Sequence, residues 1–154
     1  MTHTDIQEEY DLHSRLGFRL SRISNLMKAR LDKRLEAHGL SRLSWCALSG
    51  IGLQDITTPS GLADHIGITR QAISRLLLQM RKDGWIEQSF DQSDGRSRRL
   101  TLTKQGYETL EICRPVVEEN QTHFASKISP QELAALDAAL NALLQGESTQ
   151  LDDV

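Results

Sequence analysis

The stretch from Ser60 to Thr103 constrains this chain more than any other part of it. It opens with a short apolar-periodic segment, Ser60-Gly61-Leu62-Ala63-Asp64-His65-Ile66, stopped by Gly67. Thr69 starts a second segment whose apolar positions are Ala72, Ile73, Leu76, Leu77 and Met80. That spacing turns one stripe of a helix inward and leaves Arg70, Gln71, Ser74 and Arg75 on the opposite, solvated face. Two strand-like runs follow, 85–90 and 98–102, separated by Asp91-Gln92-Ser93-Asp94-Gly95-Arg96-Ser97. Two helices joined by a tight glycine-containing turn and followed by a basic hairpin make a winged helix-turn-helix. The expected partner is double-stranded DNA, bound sequence-specifically.

A net charge of −3 runs against nucleic acid, but the charge is unevenly placed. Between residues 60 and 104 there are eight Lys and Arg against five acids, a local +3. Between residues 105 and 154 there are two against nine, a local −7. The field at the binding face is what attracts DNA, so a negative total is compatible with it.

Outside the reading module the apolar pattern is helical. Leu12, Leu16, Leu20, Ile23, Met27, Leu31 and Leu35 recur in steps of three and four, which predicts one long helix over 10–37, ended by Gly39. Ser41 or Ser44 caps a second helix to about residue 52, and an extended piece at 57–59 leads into the module. Thr103 caps a helix to about residue 127, with Pro115 inside it. Ser129-Pro130-Gln131-Glu132 then announces a last helix carrying Leu133, Leu136, Leu140, Leu143 and Leu144. A first helix of about 40 Å projects beyond a module of this size, and its apolar stripe needs cover. The economical cover is a second copy of the chain, so a homodimer is expected. The fold class is therefore mainly α with a small β-hairpin wing. A winged helix-turn-helix over 41–103 combines with a helical dimerisation region, 10–38 and 104–146, in one domain spanning 1–154.

Several classes are disfavoured. No run approaches the ~20 apolar residues that span a bilayer, and residues 1–9 lack the apolar core of a signal peptide, so a cytoplasmic protein without a membrane partner is expected. Cys46 and Cys113 stand apart in helical contexts, which predicts no disulfide framework. His3, His13, His38, His65 and His123 show no i, i+4 pairing and no cysteine pair nearby, so no metal site and no cofactor are expected. No nucleophile–base set, phosphate-binding glycine loop or paired carboxylates point to an enzyme.

The wing segment Asp91-Gln92-Ser93-Asp94-Gly95-Arg96-Ser97-Arg98-Arg99-Leu100-Thr101-Leu102-Thr103-Lys104-Gln105-Gly106 resembles that of the MarR family of bacterial transcription regulators. Its pattern of Asp, a second Asp three residues on, Arg two later and then Leu-Thr-x-x-Gly is similar to the family's wing. Residues 62–86 are similar to its two-helix reader, and 43–48 to its second helix. The resemblance implies a dimer, often a repressor, that binds palindromic DNA and is released by a small ligand or by oxidation.

Within that scheme the DNA-contacting set is Ser60, Thr69, Arg70, Gln71, Ser74, Arg75, Asp94, Arg96, Ser97 and Arg98. Arg can fork onto guanine and Gln onto adenine in a major groove. Arg96, behind Gly95, suits a narrow electronegative minor groove, with Asp94 orienting it. Arg98 and Arg99 alternate on their strand, so at most one is expected to aim at phosphate while the other packs its stem.

In the family, aromatic or phenolic acids bind between the dimerisation helices and the reading module, a junction that here draws on His13, Arg15, Arg19, His38 and Trp45. Some relatives sense peroxide through a cysteine near the start of the first helix; residues 10–24 contain none. Two other readings stay open. One is a winged-helix protein interaction module, which would show apolar surface where Arg70, Arg75, Arg96 and Arg98 stand. The other is a metal- or redox-dependent sensor.

Overall fold

The computed structural model describes residues 10–90 and 98–148, with the backbone alone for Arg98. A 3₁₀ turn, Leu12–Ser14, precedes α1 (Leu16–Glu36). There follow α2 (Arg42–Gln54), α3 (Pro59–Ile66), α4 (Arg70–Lys82), β1 (Ile86–Phe90), β2 (Arg98–Leu102), α5 (Lys104–Ala125) and α6 (Pro130–Leu144).

Hydroxyl caps start five of these helices. Ser41 Oγ accepts from the Ser44 amide at 3.1 Å, Thr58 Oγ1 from Gly61 at 3.1 Å and Thr69 Oγ1 from Ala72 at 3.1 Å. Thr103 Oγ1 accepts from Gly106 at 3.0 Å and Ser129 Oγ from Glu132 at 3.1 Å. Each bond satisfies a first-turn donor that the helix itself leaves without a partner. At α6 the Glu132 carboxylate also accepts from the Ser129 amide at 3.1 Å, closing a reciprocal capping box.

Three boundaries differ from the sequence expectation. The first helix does not run from residue 10. The Asp11 carboxylate accepts from the His13 amide at 3.0 Å, and Ser14 Oγ donates to the Asp11 carbonyl at 2.8 Å. These local bonds offer the backbone an alternative to the helix. The chain closes a 3₁₀ turn, extends at Arg15 (φ −73°, ψ 131°) and only then enters α1. The second helix continues past residue 52 to Gln54, where Asp55 takes the left-handed conformation at φ 54°. Of the piece expected to be extended, Thr58 has extended backbone (φ −115°, ψ 146°) and caps α3, but Pro59 is already the first residue of that helix.

The core lies between the helix-turn-helix and the two helices that lead into and out of it. Leu35, Leu48, Leu62, Ile73, Met80, Leu100 and Cys113 are fully buried, drawn from α1 to α5 and β2. Gly67, at φ 76°, makes the sharp turn between α3 and α4, and its amide donates to the Ala63 carbonyl at 2.9 Å. β1 and β2 pair antiparallel, with Ile86 opposite Leu102 and Phe90 opposite Arg98. The Leu100 amide also donates to the Thr57 carbonyl at 2.8 Å, which ties β2 to the segment before α3.

α1 packs against α5. Arg30 fastens the pair: it donates to both carboxylate oxygens of Glu119, at 2.9 and 3.0 Å, and to Asn120 Oδ1 at 2.7 Å. Arg34 joins Glu119 at 3.1 Å. The Arg30 bond holds the Glu119 carboxyl below its ordinary range.

One apolar surface has no cover in the single chain. Of the long stripe, Leu31 and Leu35 are buried, but Leu12, Leu16, Ile23 and Met27 are exposed. Ile112 on α5 and Leu136, Leu140, Leu143 and Leu144 on α6 are exposed as well. Among the described residues no helix is long and apolar enough to cross a membrane.

Candidate nucleic-acid interface

The candidate reading face is built by α4. Its cap at Thr69 fixes where the helix begins, and burial of Ile73, Leu77 and Met80 fixes its rotation. Arg70, Gln71, Ser74 and Arg75 are thereby exposed together and line one shallow concavity of about 480 Å³. Arg70 reaches back to Asp64 of α3, Nη2 to Oδ1 at 3.7 Å, with both side chains exposed. Such a solvated pair is weak. Ser74 Oγ donates to the Arg70 carbonyl at 2.9 Å, which leaves its oxygen as an acceptor towards the outside. Ser60 is exposed at the second position of α3. Thr69 is half-buried, its hydroxyl oxygen already engaged as the cap.

The hairpin hangs from a tight joint. Thr103 Oγ1 donates to the Gly84 carbonyl at 2.6 Å, and the Thr103 amide donates to the Trp85 carbonyl at 3.0 Å. Trp85, expected at the start of the strand, is instead buried at this joint, one residue before β1. Arg99 is exposed and Leu100 is buried, so the strand alternates between solvent and core. Asp94, Arg96, Ser97 and the side chain of Arg98 lie outside the described residues.

The five residues expected around a ligand do not come together. His13 and Arg19 line a concavity of about 600 Å³ formed by the 3₁₀ turn and the first half of α1. Its other walls include Phe18, Leu20, Arg22, Ile23 and Leu26. The His13 ring meets the Phe18 ring edge-on at 5.1 Å. Arg22 Nη1 lies 3.3 Å from His13 Nδ1. A guanidinium can only donate, so in this contact Nδ1 is the acceptor. Arg15 turns elsewhere and covers the Tyr10 ring at 4.8 Å. His38 is exposed beyond the far end of α1, about 30 Å from the turn. Trp45 packs against the core. Phe18 and Arg22 were absent from the sequence-based set. Their signal was the i, i+3 and i, i+4 spacing to Arg15, Arg19 and Leu26, which becomes informative once the break at Arg15 is known.

Cys113 is fully buried and Cys46 partly so. Burial pushes both thiols above their ordinary pKa, against a smaller opposing effect of Arg42 at Cys46. No group of three metal-ligating side chains occurs among the described residues.

Residues 38–97, from just after α1 into the wing, match the profile of the MarR family. The transcriptional activatory protein BadR of Rhodopseudomonas palustris is 29% identical over 105 residues, which is 66% of this chain and 60% of BadR. The match thus spans less than two thirds of that relative's length. The structure of MepR from S. aureus in complex with DNA superposes with a TM-score of 0.78 at 22% identity, over 86% of this chain and 98% of MepR. BpsR of Bordetella bronchiseptica, whose DNA binding is regulated by 6-hydroxynicotinic acid, superposes with a TM-score of 0.82 at 17% identity, over 90% of this chain and 99% of BpsR. At such identities the two superpositions establish the fold: a winged helix-turn-helix set between flanking helices. The profile match over residues 38–97, the similarity to BadR and this fold together make the chain similar to the MarR family in its reading module and overall architecture.

Proposed function

We propose that a homodimer of this chain binds double-stranded DNA and regulates transcription there. It reads a palindromic operator with α4 in the major groove and the 91–99 wing in the adjacent minor groove. The observation that carries this reading is the exposed face of α4, where Arg70, Gln71, Ser74 and Arg75 stand together over a buried Ile73–Leu77–Met80 stripe. Arg and Gln are the side chains that fork onto guanine and adenine edges. The MepR–DNA complex, with the same fold, supports a DNA partner. The dimer rests on the uncovered leucines of α1 and α6, with 10–38 and 104–146 as the dimerisation segments. Repression follows where the operator overlaps the polymerase site, and activation, as in the name of BadR, where it lies outside it. The protein acts in the cytoplasm, where the DNA is.

A small aromatic acid relieves binding in this reading. The concavity at the start of α1 offers Arg19 and Arg22 beside Phe18 and Leu20, cations next to apolar walls that suit an aromatic carboxylate. The regulation of BpsR by 6-hydroxynicotinic acid supports that ligand class.

Selection of bound sequences from random DNA by the purified full chain tests the reading. The expected product is an inverted repeat with half-site centres about 34–36 Å apart, one helical turn. Arg75→Ala should cost roughly 1–3 kcal/mol on that site and flatten preference at one position of each half-site. Recovery of no preferred sequence would refute it.

A further inference from the structure

We propose that Leu78 is a base-reading residue, its side chain meeting the 5-methyl group of a thymine in the major groove. The proposal rests on the reading role given to α4 above and adds an apolar contact to its polar ones. At about 100° per residue, Arg70, Gln71, Ser74 and Arg75 spread over roughly 140° of the helix circumference, and Leu78 falls within about 10° of their mean direction. It therefore stands at the centre of the face. Ile73, Leu77 and Met80 project to the other side and are buried. Leu78 is 47% exposed, and among the described residues it is the one large apolar side chain of α4 that is.

The surroundings select the partner. Ser74 and Arg75 lie one turn before Leu78 and Lys82 one turn after, and all three are exposed. A leucine that docks a protein would sit among other apolar side chains; this one sits among cations, which draw phosphates. Among the bases, thymine presents a methyl group in the major groove, and apolar side chains are its partners. Leu78 lies about 4.5–6 Å farther along the helix than Arg75 and Ser74, at 1.5 Å per residue. The thymine therefore falls within about two base pairs of the position that Arg75 reads, at about 3.4 Å per step.

The test uses the full chain and the operator recovered by selection. Each thymine is replaced in turn by deoxyuridine, which removes the methyl and keeps every hydrogen-bonding group. Wild-type protein should lose about 4-fold in affinity at one thymine position per half-site, the effect of one buried methyl, and about 15-fold with both half-sites altered. Leu78→Ala should bind the thymine operator more weakly and be indifferent to deoxyuridine at that position. Leu78→Met, which keeps an apolar reach, should remain sensitive. An unchanged melting temperature of the exposed-site variants verifies that the fold is intact. The proposal is overturned if wild-type protein binds every deoxyuridine operator as tightly as thymine, the result a protein-docking leucine would give. It is also overturned if Leu78→Ala keeps the full deoxyuridine loss. Recovery of no operator at all would instead overturn the reading of α4, and this proposal with it.

Discussion

Replacing Gly106 by alanine should loosen the joint that carries the wing. Gly106 is the third residue of α5, where alanine would ordinarily gain roughly 0.5–1 kcal/mol over glycine. Here a methyl group has no room. It would fall on the carbonyl oxygen of Trp85, 3.1 Å from the carbonyl carbon and 3.3 Å from Leu102 Cβ. None of these atoms belongs to a side-chain end that can rotate away. The same carbonyl accepts from the Thr103 amide at 3.0 Å, so a displaced Trp85 strains the end of β2 as well. Overpacking of a rigid site costs about 1–3 kcal/mol, and contact with backbone puts this case at the upper end. Against the helical gain, the net loss is about 2 kcal/mol. For a chain of this size that lowers the melting temperature by about 4–8 °C. DNA affinity should also fall at temperatures where the variant is folded, because the hairpin is hung from this joint. Gly17→Ala is the control: it lies in the first turn of α1 with nothing within 4 Å of an added Cβ, and should melt no lower than wild type. Calorimetry of the two variants decides the matter. A Gly106→Ala protein as stable as its parent would refute the close approach of α5 to Trp85.

Ser129→Ala removes the hydroxyl half of the α6 capping box, the acceptor for the Glu132 amide, while the residue's own amide can still donate to Glu132; it should cost about 1 kcal/mol, read as a small drop in melting temperature. Glu119 is held below its ordinary pKa first by the hydrogen bond from Arg30, so its stabilising contribution is present above about pH 4.3, its unfolded value, and is lost as pH falls through the folded value. Glu119→Gln should therefore be less stable than wild type at neutral pH, with the difference closing in acid melts below pH 4.3; a constant difference would remove the charge from the explanation. Leu140→Asp puts a carboxylate on the exposed leucine face of α6, and sedimentation should show a shift from dimer towards monomer at micromolar concentration. An unshifted dimer would place the interface elsewhere.

Much of the reading module is legible in the sequence because its signals are local. A hydroxyl cap acts on an amide three residues away, so Thr69, Thr103 and Ser129 mark helix starts within one turn. Gly67 marks the turn by its own φ, and the burial of Ile73, Leu77 and Met80 follows from a 3.6-residue period. The face of Arg70, Gln71, Ser74 and Arg75 was readable for the same reason. The break at Arg15 was not, because Leu12 and Leu16 keep the helical spacing while Asp11 and Ser14 divert the backbone with their own hydrogen bonds.

What only the tertiary structure decided concerns residues far apart in the chain. Periodicity assigns Leu16 and Leu35 to one stripe; only the closing of the core buries Leu35 and leaves Leu16 outside. Arg30 and Glu119 are 89 residues apart, and nothing in either segment names the other. Of two cysteines in similar helical contexts, Cys113 is sealed and Cys46 is not, because one faces the core and the other its margin. The ligand-side residues divide for the same reason. Sequence pattern gives the direction of a side chain around its helix, whereas which ends of which helices meet depends on how the core closes. His13 and Arg19 therefore share a concavity, while His38 ends about 30 Å away.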